Sequence, residues 1–128
     1  MSEHSIDMGL FHVLGFQLLE ATADRVVLEW TVTPDHHQPY GIVHGGVHCA
    51  AVESSASIGA ALWFGDRGKV VVVANRTDFL RAATDGVLRA TATPIDRSET
   101  MQLWLVEIRD ESARLVARGE VRLQNLSG

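Results

Sequence analysis

Cysteine is nearly absent. Cys49 stands alone in 128 residues, which excludes an intramolecular disulfide. Cationic excess is absent too: eleven Lys and Arg against sixteen Asp and Glu give a formal net charge of -5, so nothing provides a footprint for a nucleic-acid backbone or an anionic membrane. The opening MSEHSIDMGL has acids where a secretory signal has a basic region and a long apolar run, so the chain is expected to be cytoplasmic. The stretch from Gly41 to Phe64 has the length of a membrane span but not its purity. Glu53, two histidines and many Ser and Gly make insertion costly, and a buried helix of a soluble protein is expected instead. Repeats, linkers and low-complexity segments are missing as well. At 46% hydrophobic, residues 1–128 suit one domain with its own core.

The patterning that is present has a clear order. Ile6, Leu10, Phe11, Val13 and Leu14 recur at helical spacing over Ser5 to Leu14, with Gly15 closing the helix. Strands are expected over Phe16 to Ala21 and Arg25 to Thr33, followed by the turn-rich PDHHQPYG. After the long helix, Lys69 to Leu80 opens with an apolar run typical of a strand covered on both faces. Gly86 to Ile95, Thr100 to Asp110 and Ala113 to Gln124 follow at hairpin spacing. In the last, Leu115, Ala117, Val121 and Leu123 alternate with Arg114, Arg118, Glu120 and Arg122, which separates a core face from a wet one. Thr100 to Asp110 is apolar on both faces. Its Leu103 and Leu105 are expected against the helix, and Trp104, Val106 and Ile108 against another subunit. The order implies an α+β fold, an antiparallel sheet wrapped around one long central helix.

Glu53 is the only formally charged residue at neutral pH between Gly41 and Phe64. On a helical wheel Val47, Ala50, Ala51, Ser54, Ile58, Ala61 and Leu62 form the expected sheet-facing stripe. Glu53 lies off it among Cys49, Ala56, Ser57 and Ala60, small residues that let a ligand or another backbone come close. A carboxylate in such company is expected to lose hydration and to carry protons more readily near neutrality. The competing reading is an ion pair with an arginine across an interface. His44-Gly45-Gly46 favours chemistry, because glycines at a helix start leave N–H groups open to negative charge, including a carbonyl oxyanion. Gly45 and Glu53 are about 12 Å apart along one helix, so they cannot serve one carbonyl. A dimer with the two helices antiparallel brings them together.

Gln38-Pro39-Tyr40-Gly41, His44-Gly45-Gly46 and Glu53 within AAVESSAS together resemble the hotdog-fold acyl-CoA thioesterases of the PaaI-like superfamily. The likeness is to its glutamate-type branch, which contains 1,4-dihydroxy-2-naphthoyl-CoA hydrolase, the enterobactin-pathway proofreading thioesterase and 4-hydroxybenzoyl-CoA thioesterase of the glutamate type. The resemblance implies hydrolysis of an aromatic or medium-chain acyl thioester of coenzyme A or a carrier protein, without a cofactor, by a homodimer or homotetramer. It implies that the Gly45 N–H polarises the carbonyl and that Glu53 of the facing subunit acts as general base or nucleophile. Gln38 and His44 match positions that orient the thioester or water, and Ser57 one that holds the carboxylate. Each has a plainer alternative: loop anchor, helix cap and packing. Some relatives carry a histidine near the place where this chain reads Thr77-Asp78-Phe79-Leu80.

Other signals point elsewhere with less force. His44 and His48 are four apart, with His36 and His37 just before them, but the Glu of a zinc-binding HExxH is missing and no metal site is expected. Cys49 has no evident base at hydrogen-bonding spacing. Arg76, Arg81 and Arg97 are of a type suited to phosphates, but none is singled out. A non-catalytic acyl-CoA-binding hotdog protein is the alternative function, and Glu53 separates the two because a binder has no need of an acid beside the carbonyl.

Overall fold

The computed structural model describes residues 7–128. A short helix α1 (Gly9–Val13) leads into strands β1 (Gln17–Ala21) and β2 (Val26–Thr31). The long helix α2 (Gly45–Phe64) follows a loop, and then come β3 (Gly68–Phe79), β4 (Val87–Arg97), β5 (Met101–Arg109) and β6 (Leu115–Ser127). Of the expected first helix, Ser5 and Ile6 lie outside the described residues. Gly15, at φ +73°, turns the chain out of α1 as anticipated. The six strands form one sheet in the order β1-β2-β4-β5-β6-β3, every pair antiparallel. This is the α+β architecture the sequence implied.

Rows of directly paired residues explain how the helix lies on the sheet. Val26, Ala92, Val106 and Gly119 form one row, and Leu28, Ala90, Ile108 and Ala117 the next. All of these residues are buried. Small residues on β4 and β6 let α2 come close. A Cβ on Gly119 would stand 2.5 Å from the Val52 side chain, and one on Gly59 would stand 2.5 Å from the Trp104 ring. Beside that ring the polar groups close on themselves: Trp104 Nε1 donates to Gln102 Oε1, and Gln102 Nε2 donates to Ala60 O and to Asn125 Oδ1.

Three expectations need correction. Trp104, Val106 and Ile108 face the helix, while Leu103 and Leu105 are half-buried on the other face. Cross-strand partners explain it: Leu103 pairs with Arg122 and Leu105 with Glu120, so they share the wet face of β6. The sheet-facing stripe of α2 is also rotated. Val47, Ala51 and Ile58 are buried as expected, but His48, Val52, Ser55, Ala56, Gly59 and Ala60 join them, while Ala50, Ser54 and Ala61 are half-buried and Leu62 is exposed. A helix small and apolar almost all round gives a wheel little to choose by, and the close fits at Gly59 and Val52 set its rotation. Lastly, β3 is a sheet edge instead of a covered strand, with Val71 42% and Val73 50% exposed.

The packing at Gly59 is testable. Trp104 is fully buried and cannot swing away, so Gly59→Ala is expected to lower unfolding free energy by about 1–3 kcal/mol in chemical denaturation.

Candidate active site

The loop between β2 and α2 is pinned by its own histidines. His36 is buried; its Nδ1 accepts from the Thr33 N–H at 2.9 Å and its Nε2–H donates to Leu14 O at 2.7 Å. His37 Nε2 donates to Thr84 O at 2.8 Å, and the Val43 and His44 N–H groups donate to Ala83 O and His36 O. Among the described residues no group of three His, Cys, Asp or Glu is placed to hold a metal ion. The loop histidines instead fix where α2 begins.

At that beginning His44 is the N-cap, and its Nδ1 accepts from the Gly46 N–H at 2.7 Å. The ring proton is therefore on Nε2. The capping role weighed from the sequence is present. The Gly45 N–H, in contrast, has no backbone or side-chain acceptor among the described residues. It stands at the positive end of a 20-residue helix, at the wall of a 350 Å³ cavity shared with Gln38, Ile42, His48, Phe79 and Leu80. The Gln38 side chain is divided between two tasks. Its Oε1 accepts from the Tyr40 N–H, anchoring the loop, which leaves the NH₂ end as the free donor.

Phe79 closes one side of this cavity. A Cβ on Gly45 would lie 2.8 Å from the tip of the Phe79 ring, so glycine is what allows the ring to lie over the helix start. His48, one turn further along α2, is 4% exposed and packs between Trp30 and Phe79, with ring centroids 6.2 Å and 6.0 Å away. Burial pushes its pKa down to about 4.

Glu53 is not in this cavity. It is exposed on the outward side of α2, with no ion pair or hydrogen bond to a described residue, so its own chain provides none of the expected desolvation. Half-buried Cys49, Ala50, Ser54 and Ser57 surround it. Ala56 and Ala60, assigned to that side from the wheel, are buried against the sheet. The structure thus brings Gln38, His44 and Gly45 together and leaves Glu53 and Ser57 on another face. Arg81 reaches the cavity wall, whereas Arg97 is tied to Asp24 and Ala23 O.

A protein with this fold and this helix start can be compared with known ones. The thioesterase superfamily profile matches residues 40–117, from the end of the loop into β6. The chain belongs to the thioesterase superfamily. The crystal structure of S. sahachiroi AziG is 51% identical to this thioesterase, with a TM-score of 0.93, covering 94% of this chain and 98% of that one. An esterase-named protein of Mycobacterium tuberculosis strain H37Rv is 47% identical over 116 residues, 88% of this chain and 83% of its own length. A 1,4-dihydroxy-2-naphthoyl-CoA hydrolase of Listeria monocytogenes is 32% identical over 109 residues, 85% of this chain and 89% of its own. The thioesterase is thus an enzyme, a hydrolase of the hotdog fold. No helix among its described residues is long and apolar enough to cross a membrane.

Two residues of the cavity escaped the sequence reading. Phe79 is the one aromatic after the polar Asn75-Arg76-Thr77-Asp78 of β3, a break in pattern that marks it. His48 was weighed as a metal ligand only, although three residues after Gly45 it had to share the side of the helix on which Gly45 opens.

Stability should depend on pH through His48. In the unfolded chain its imidazole titrates near 6.5, so between that value and 4 the unfolded state binds a proton that the folded state refuses. Stability from this group is complete above about pH 6.5 and is lost on acidification, by roughly 3 kcal/mol at pH 4. Melting temperatures measured across that window should fall more steeply for the wild type than for His48→Leu.

Proposed function

We propose that this protein, as one domain of residues 1–128 acting in the cytoplasm, hydrolyses an acyl thioester of coenzyme A or a carrier protein at a site shared by two copies of the chain. One observation carries this reading: the free Gly45 N–H opens into a cavity, while Glu53 is exposed on another face of the same helix, about 12 Å further along. The thioester carbonyl accepts from the Gly45 N–H of one copy, and Glu53 of the other copy meets the acyl carbon. As a general base, the carboxylate takes a proton from water while the water oxygen bonds to that carbon. The oxyanion rests on the Gly45 N–H, the C–S bond breaks, and the proton passes to the leaving thiolate. As a nucleophile, the carboxylate displaces the thiolate itself, and water then cleaves the resulting anhydride. In both routes the Gln38 NH₂ and His44 Nε2–H orient the thioester or the water, and Ser57, one turn from Glu53, holds the carboxylate.

The surfaces support such a pairing. The twelve residues of β3 form an open edge with exposed valines, which a second copy can extend. Small Cys49, Ala50, Ser54 and Ser57 allow the two α2 helices to pass closely, and the crossing removes water from Glu53. With Trp104, Val106 and Ile108 turned inward, Leu103, Leu105 and Val71 are among the apolar residues left on the outer sheet face for joining two dimers into a tetramer. The relative named for 1,4-dihydroxy-2-naphthoyl-CoA supports an aromatic acyl part over the medium-chain alternative.

Subunit mixing tests the shared site. Proline is tolerated at the first position of a helix, and His44, at φ -62° and ψ 135°, already has the conformation a following proline requires. Gly45→Pro therefore removes the N–H and keeps the helix backbone, although its ring pushes Phe79 aside, and Glu53→Gln removes the carboxylate. Each homodimer should lose at least about a hundredfold in kcat. The mixed dimer holds one site with both defects and one intact site, so about half the activity per dimer should return. Two dead variants that stay dead when mixed would show that the site lies within one chain. Glu53→Gln alone should still bind acyl-CoA in calorimetry; near-normal turnover by that variant would assign the chemistry to another group, and a wild type that binds acyl-CoA without turnover would favour a binding protein.

A further inference from the structure

Strand β3 turns a polar pair toward α2 where its neighbours present apolar groups. In its first half Val70 and Val72 pack against the core. Plain alternation from Val72 would next turn Ala74, Arg76 and Asp78 toward the helix. The pairing with β6 is irregular at this point: Val72 lies opposite Leu123 and Ala74 opposite Arg122, so Val73 is an extra residue and the phase of the strand changes. Asn75 and Thr77, opposite Val121 and Gly119, are therefore half-buried against α2, while Arg76 and Asp78 are exposed. Phe79 follows in the same phase and lies over Gly45.

The two polar side chains are joined in series. The Thr77 hydroxyl donates to Asn75 Oδ1 at 2.8 Å, and Asn75 Nδ2 donates to Cys49 O at 3.0 Å. The choice of acceptor matters. Within α2 the Cys49 carbonyl also accepts from the N–H four residues on, which is that of Glu53. Helix side chains lean toward the helix start, so the Glu53 side chain lies over the turn that begins at Cys49. Asn75 thus fastens that turn to β3, the edge strand of the sheet. An apolar pair of the same shape would serve packing equally well. It would not fix the slide of the helix along the strand, because a hydrogen bond has a length and a direction and apolar contact has neither. Resting on the reading of Glu53 as base or nucleophile, we propose that Asn75, oriented by the Thr77 hydroxyl, is a positioning residue that acts through the Cys49 carbonyl to set where the Glu53 carboxylate stands in the shared site.

The test is a double-mutant cycle on turnover, with benzoyl-CoA or hexanoyl-CoA, whichever the wild type hydrolyses faster. Asn75→Leu keeps the size of the side chain and removes the bond to Cys49 O. Its kcat should fall about tenfold, the scale of a small misplacement of a reacting group. The Kd of the thioester, measured by calorimetry in Glu53→Gln with and without Asn75→Leu, should stay within about twofold. In the Glu53→Gln background, where the group being positioned is already gone, Asn75→Leu should lower the residual kcat by less than about twofold. A general disturbance of the fold would instead cost the same factor in both backgrounds. Thr77→Val should lower kcat about threefold, and Thr77→Ser, which keeps the hydroxyl, should recover most of that loss. The same cycle run with Thr77→Val decides the matter if Asn75→Leu does not fold. With Glu53→Gln slow, a wild-type kcat in Asn75→Leu, or an equal loss in both backgrounds, overturns the proposal and leaves the reading of Glu53 standing. Near-normal turnover by Glu53→Gln alone overturns that reading, and the proposal with it.

Discussion

How closely α2 lies on the sheet governs the rest of the molecule. Gly59 against Trp104 and Val52 against Gly119 are contacts with no room for another methyl group, so the helix has one rotation available. That rotation sends His48 inward and Glu53 outward, and it aims the first N–H of the helix at the cavity. Interior packing and the placing of chemical groups are here one constraint. Gly59, packed in the interior, sets the direction of the Glu53 carboxylate.

The loop before the helix does complementary work with polar contacts. The helix start leaves the Gly45 N–H without an acceptor among the described residues, and its neighbours are held firmly. His44 covers the Gly46 N–H, His36 ties the loop to Leu14, and His37 ties it to Thr84. Three imidazoles clustered in sequence, which resemble a metal site on paper, are each spent on backbone groups.

The strand and helix order could be read almost completely from sequence, because hairpin spacing and the alternation in β6 are local signals that tertiary contacts reinforce. Gly45, Gln38 and His44 could be placed because the loop and the helix start are contiguous in the chain. Faces were harder. In β5 both sides are apolar, so only the charged partners on β6 settle which one is inside, and that information belongs to pairing, not to the strand. On α2 the uniform smallness that permits close approach on two sides also erases the periodic signal that would say which side is which. Phe79 reaches Gly45 across a separation of 34 residues; its place after four polar residues of β3 marks it, but says nothing of what it touches.

The open edge of β3 has a consequence for how such a protein behaves in a cell. A long apolar strand with unsatisfied backbone groups is as ready to join a foreign strand as its own copy. If its own copy is the intended cover, the number of working sites rises with the square of chain concentration when copies are scarce, and the same encounter that completes a site also protects the edge. Dilution then both silences the enzyme and exposes its most adhesive surface. Soluble expression and specific activity would rise and fall together, governed by one association equilibrium.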